Sequence, residues 1–303
     1  MKKAFTLVEL LVVIGIIGIL AGVLVGTFAG GTESARAARC MSNLRNLAAG
    51  CQGAAMAHHR YPPAGSIEYF TMTTRNDRDV AIYHHFPGWI SWNSQNAYSG
   101  DPTSSRASAS WNISTYEQDY EARMFSITNG VIWKYVSANH ETYLCPSHVK
   151  KLKRLNPNWS YVMNAYFEWT ANPGNDVFDS TNWGQEYGRL ARADRMLLFA
   201  EMPFADIGVE HKEETGPGEA CDCVLQYPGA RGSSANETIG FNHKTGRIVC
   251  ANVCFADGHV EKLTYPQAGL SEGDLQNLTQ WLCEGTDVSF DGKRYQKLTV
   301  DNN

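Results

Sequence analysis

The residues best suited to chemistry in this chain are an acid inside an apolar run, a late histidine–aspartate pair and eight cysteines. Glu9 lies in the stretch from Phe5 to Gly31, which otherwise carries no charge. A carboxylate in such a setting is costly unless a cation meets it, so the chemistry it offers is ion pairing rather than catalysis. His243 and Asp257, with His259 and His211 as helpers, have the side chains of metal ligands or acid–base groups. No nucleophile–base–orienter series stands near them, and no HExxH spacing exists. The expectation is therefore structural: Asp257 shapes a turn, and His243 hydrogen-bonds or packs on it. No catalytic residue is assigned.

The cysteines stand at 40, 51, 145, 221, 223, 250, 254 and 283. An even count fits an oxidising compartment, but eight cysteines allow about 105 pairings. Cys40 and Cys51 on one helix would be ~16 Å apart at 1.5 Å per residue, too far to bridge. No CxxC pair exists, and Cys221-Asp222-Cys223 is too tight for the usual structural zinc site, so neither metal nor cofactor is expected. Asp176, Asp179, Asp206 and Glu210 are hard oxygen donors, but their spacing matches no calcium loop.

The balance of residues narrows the class of function. Hydrophobic residues make up 43% and charged residues 19% of 303, which suits a chain with a real core. A net charge of -5 excludes the basic excess that nucleic-acid binding needs.

Three elements must position these residues. Met1-Lys2-Lys3-Ala4 precedes the apolar run, and Leu10 to Ala29 supplies ~30 Å of helix, enough to span the hydrocarbon core. Lys2 and Lys3 would hold the N-terminus in the cytoplasm and send the remainder outward. A cleavable signal peptide, with a small-x-small site near Thr27-Phe28-Ala29, is the rival reading. Its apolar core is shorter, however, and gains nothing from Glu9. Gly18, Gly22 and Gly26 make a stripe of small residues that lets helices approach in lipid.

Beyond the span, Ala37, Met41, Leu44, Ala48, Cys51 and Ala55 keep helical spacing, with Cys40, Leu47 and Ala54 alongside. Arg36, Arg39, Asn43, Asn46, Gly50 and Gln52 fall on other faces, and Pro62-Pro63 ends the helix. A helix from about residue 5 to about residue 59 would be ~80 Å long. From Tyr61 onward, strand-like runs at 141–145, 160–167, 196–201, 248–256 and 259–263 alternate with polar loops at 93–114, 172–185 and 213–236. Asp257-Gly258 between two such runs predicts a two-residue hairpin with positive φ at both positions. The fold class is α+β: a leader at 1–4, a long helix at 5–60 whose portion 5–29 is transmembrane, and a β-rich extracytoplasmic domain at 61–303, an antiparallel sheet with long loop insertions on which the helix packs.

Ala4-Phe5-Thr6-Leu7-Val8-Glu9-Leu10-Leu11 resembles the processing site of type IV prepilins and type II secretion pseudopilins. The resemblance implies cleavage between Ala4 and Phe5 by a prepilin peptidase and N-methylation of Phe5. It further implies pairing of Glu9 with the N-terminal amine of a neighbouring subunit. The usual residue before the cut is glycine; Ala4 is also small. Cys40-Met41-Ser42-Asn43-Leu44, Tyr61-Pro62-Pro63, Cys145-Pro146-Ser147 and the run 160–164 resemble, in order, marks of pilin-like proteins with an H-x9-DG C-terminal element. Phe241-Asn242-His243 and Asp257-Gly258 resemble its end, although thirteen residues separate His243 from Asp257 and the position that would leave nine between holds Arg247.

These readings lead to a structural subunit of a pilus or pseudopilus, with a single pass through the inner membrane and an outward C-terminal domain. Its expected partners are the peptidase, other pilin subunits and the membrane, with no nucleic acid. Two alternatives compete. One is a surface adhesin or glycan-binding protein on the same anchor, with Trp89, Trp92, Trp111 or Trp183 stacking on sugars. The other is a tethered hydrolase, for which no motif stands.

Overall fold

The apolar spacing across residues 37–55 becomes the buried face of a helix far longer than an ordinary globular one. In the computed structural model, α1 runs Leu7–His58, 52 residues, or ~78 Å at 1.5 Å per residue. The structure describes the chain except residues 1–6, 76–77, 92–123, 125–126, 152–158, 170–182, 203–222, 228–236, 267–270 and 299–303, together with the side chains of residues 21–30, 67–85, 151 and 272.

The two halves of α1 differ in what they touch. Every large apolar side chain from Leu7 to Leu20 is exposed, by 45% to 78%. Among the described residues no helix is long and apolar enough to cross a membrane; the expected span, 10–29, runs on into residues whose side chains are not described. In the second half, Cys40, Leu44, Leu47, Ala48, Cys51, Ala54 and Ala55 are wholly buried. Asn43 and Gly50, expected on polar faces, are buried as well. The Asn43 amide donates to the carbonyls of Glu141 (3.1 Å) and Leu144 (2.8 Å), which explains a polar group at a core position. A Cβ on Gly50 would come within 2.4 Å of Val136 Cγ1, so the missing side chain is what admits this neighbour. His59 closes the helix at φ 61, the left-handed conformation common just past a helix end.

Against α1 lies a mixed sheet. A separate antiparallel hairpin comes first: β1 (Ile67–Arg75) with β2 (Arg78–Phe86). The expected strand at 141–145 is instead a 3-10 turn, His140–Tyr143, running into the short helix α2 (Pro146–Lys151). The main sheet contains β3 (Tyr161–Asn164), β4 (Leu197–Glu201), β5 (Val224–Leu225), β6 (His243–Thr245), β7 (Ile248–Phe255) and β8 (Val260–Pro266). β5 joins β3 in parallel and the other pairs are antiparallel. After it come helix α3 (Glu272–Cys283) and a hairpin of β9 (Val288–Phe290) and β10 (Tyr295–Lys297).

The topology around β7 decides where the site falls. One edge of β7 is taken by β8 along nearly its full length, Ile248↔Pro266 to Cys254↔Val260. The other edge is shared: β4 pairs through Ala200↔Val253, and β6 begins at His243↔Cys250. The last residue of β4 and the first of β6 therefore meet beside Asn252, under α1.

The β7–β8 turn also differs from expectation. Gly258 N donates to Phe255 O (2.9 Å) and Phe255 N to His259 O (3.0 Å), which leaves a three-residue loop, Ala256-Asp257-Gly258. Gly258 has φ +92 and Asp257 is not among the positive-φ residues. This is a type I turn closed by a glycine bulge, which needs only one left-handed residue.

Candidate functional site

His243, the first residue of β6, is buried between two carboxylates. Its Nδ1 lies 2.9 Å from Glu33 Oε1 and its Nε2 lies 2.9 Å from Glu201 Oε1. With an acceptor at each ring nitrogen, both N–H groups donate and the imidazole is a cation. Burial opposes that charge, but the field of Glu201 and the contacts with Cys145 and Glu201 outweigh it, and the pKa is pushed up to about 11.

Each carboxylate is held from other elements. Glu33, on α1, accepts from Ser147 Oγ at 2.6 Å and pairs through Oε2 with Arg36 Nη1 at 3.0 Å. Burial works against its charge, but the bonds from Ser147, His243 and Arg36 hold its pKa below the ordinary carboxylate value. Glu201 is wholly buried, and its Oε1 also accepts from Asn252 Nδ2 at 2.9 Å. Its Oε2 is buried with no hydrogen-bond partner among the described residues.

Two thiols complete the cluster. Cys145 Sγ lies 3.7 Å from His243 Nε2 and 4.0 Å from Glu201 Oε1. Cys40 stands on the face of α1 that carries Glu33 and Arg36, three and four residues per step, the spacing of one helical face. One ligand atom from each of Cys40, Cys145, Glu201 and His243 falls within 4.8 Å of every other. Burial pushes the Cys40 thiol up. Burial also resists charge on Cys145, yet the hydrogen bond with Cys40 and the imidazole of His243 hold that thiol below the usual cysteine value.

Cys145, His243 and Glu33 stand in the order nucleophile, base and orienter, a series the sequence did not reveal. Hydrolysis is a poor use of it. Nε2 is nearer to Glu201 than to sulfur, and Cys145 is wholly buried, with no face open to a substrate.

The other expected residues are scattered. Asp257 does shape its turn, since its Oδ1 accepts from His259 N (3.0 Å) and pairs with His259 Nδ1 (2.6 Å). His243 does not pack on it. Asp257 sits in the turn beyond the end of β7 at Phe255, whereas His243 pairs with Cys250, five residues before that end, or about 16 Å of strand at ~3.3 Å per residue. Glu9 lies on the exposed first turns of α1, whereas Ala4, Phe5, His211, Cys221, Asp176, Asp179, Asp206 and Glu210 lie outside the described residues. The seven described cysteines are buried free thiols.

The tryptophans offered for sugar stacking are corrected in part. Trp89 is wholly buried, donates Nε1–H to Cys223 O (2.9 Å) and stacks with Tyr143. Trp183 is 5% exposed, with its ring 4.8 Å from that of His58. Trp92 and Trp111 lie outside the described residues.

Glu33 and Glu201 were given no site role from sequence, and Cys145 and Ser147 were named only as a cysteine and as part of a family mark. The one local signal was the Glu33–Arg36–Cys40 spacing on α1.

No curated protein and no solved structure matches the chain. A family model described as the prokaryotic N-terminal methylation motif matches residues 1–25, so the chain begins with the processing motif of a type IV pilin-like precursor.

Proposed function

We propose that the chain is a structural subunit of a type IV pilus-like filament or a type II secretion pseudopilus. It is cut between Ala4 and Phe5 by a prepilin peptidase and held in the inner membrane by residues 5–29 until assembly. The observation that carries this reading is the methylation motif on an unbroken helix whose first half exposes apolar side chains and whose second half packs on a sheet. Apolar side chains bare from Leu7 to Leu20 need lipid or neighbouring helices around them. Gly15 and Gly18 have open space where a Cβ would stand, which leaves room for a second helix to approach closely.

In this reading Glu9 meets the methylated amine of Phe5 in an adjacent subunit, a pairing that makes a carboxylate tolerable in an apolar helix core. Glu9→Ala is expected to lower incorporation into sheared filaments or pseudopili at least tenfold while leaving membrane-bound chain at the wild-type level. Quantitative immunoblotting of the two fractions checks it. Wild-type incorporation by the alanine variant would count against assembly through Glu9.

A further inference from the structure

We propose that Cys40, Cys145, Glu201 and His243 form a four-ligand zinc site that staples α1 to the sheet. Two thiols, an imidazole and a carboxylate are all donor types that zinc accepts. Bonds of about 2.3 Å to sulfur and about 2.0–2.2 Å to nitrogen and oxygen give tetrahedral edges of about 3.3 Å between N and O and about 3.6 Å between S and N. The observed edges are 2.9 Å for His243 Nε2 to Glu201 Oε1 and 3.7 Å for Cys145 Sγ to His243 Nε2. Small adjustments of side chains would admit the ion.

The surroundings fit the same reading. A ligating histidine ordinarily donates its second N–H to a carboxylate, and Glu33 lies 2.9 Å from Nδ1, itself held by Ser147 and Arg36. Asn252 holds Glu201 from the far side. Independently, Glu201 Oε2 is buried without a hydrogen-bond donor among the described residues. An ion pair with His243 alone leaves both thiols with only long sulfur contacts, at 3.7 Å and 4.0 Å for Cys145, whereas a cation takes both as ligands. A cleft of about 130 Å³ beside α1, lined by Glu33, Ala37, Met41 and Lys262, reaches the site at His243. On binding, each thiol and Nε2 release a proton to solvent, and Nδ1–H remains bonded to Glu33. The four ligands come from α1, the turn before α2, the end of β4 and the start of β6, so the ion would tie the helix to the sheet at its midpoint.

The test uses the full-length chain purified in detergent under reducing conditions. Elemental analysis is expected to give one zinc per chain. X-ray absorption of the zinc-loaded wild type should show two sulfur and two nitrogen or oxygen ligands, a readout that needs no variant. Co²⁺ should give a thiolate-to-cobalt charge-transfer band that Cys40→Ser and Cys145→Ser each abolish and Cys283→Ser keeps. Glu33→Gln, a positioning change, should weaken Co²⁺ binding about 10–100-fold. A folded, reduced wild-type chain that binds neither ion would overturn the proposal. So would a Cys40–Cys145 disulfide in protein taken from its own membranes.

Discussion

Replacing His243 by alanine is expected to lower the unfolding free energy by about 3–5 kcal/mol, because breaking a buried pair leaves its partner charged without compensation. The partner here is Glu201, wholly buried, with the Asn252 amide at 2.9 Å and the weak, 4.0 Å contact of the Cys145 thiol left around it. The cost arises with or without a metal, since His243 is either the cation beside Glu201 or a ligand beside it. Adding Glu201→Gln removes the stranded charge, so the double variant should be more stable than His243→Ala alone. That non-additivity separates an electrostatic role from simple loss of volume. Urea unfolding of the full-length chain in detergent measures both variants. A loss below about 1 kcal/mol for His243→Ala, the range of exposed pairs, would mean that the cluster does not hold the fold.

Trp89→Ala should cost a similar amount, about 3–5 kcal/mol, for a different reason. Its ring is wholly buried between Tyr143, at a centroid distance of 6.0 Å, and Phe199, at 4.9 Å. Alanine leaves a cavity there and removes one of the two donors to the Cys223 carbonyl, which keeps only Met163 N at 3.0 Å. Gly130 lies so close that a Cβ on it would meet Trp89 O at 2.4 Å, so the backbone around the ring has little room to collapse. The expected readout is a lower unfolding midpoint by the same urea titration. An unchanged midpoint would return Trp89 to the surface and to the sugar-stacking reading.

Local physics made much of this fold readable. The four- and three-residue spacing from Ala37 to Ala55 marked the face of α1 that the sheet covers, and Pro62-Pro63 marked its end within a few residues. The runs at 160–167, 196–201 and 248–256 contain β3, β4 and β7, and the run at 259–263 covers the first part of β8, which continues to Pro266. Other elements went unread although they had signals. α3 begins at Ser271, whose side chain accepts from Asp274 N, and it buries Leu275, Leu278 and Leu282 at helical spacing. Asn43 and Gly50 were put on polar faces because residue type was taken as a guide to burial. A neighbouring carbonyl pair and a close-packed Val136 reverse that guide.

The cluster around His243 was harder to see for a physical reason. Its groups come from positions 33, 40, 145, 201, 243 and 252, and only the sheet topology brings them together. Glu201 and His243 meet because β4 and β6 share one edge of β7, a pairing that no local spacing encodes. His243 stood out by type, but Asp257, the residue it was matched with, proved to be a turn former on a distant hairpin.

The central claim is that residues 1–25 are a working prepilin signal on a helix that stays in the mature protein. Mass spectrometry of the N-terminal peptide from chain recovered in membranes or filaments addresses it most directly. The account predicts a mature chain that starts at an N-methylated Phe5 and retains Glu9. A mature start near Gly30, with the apolar half of α1 removed, would contradict it.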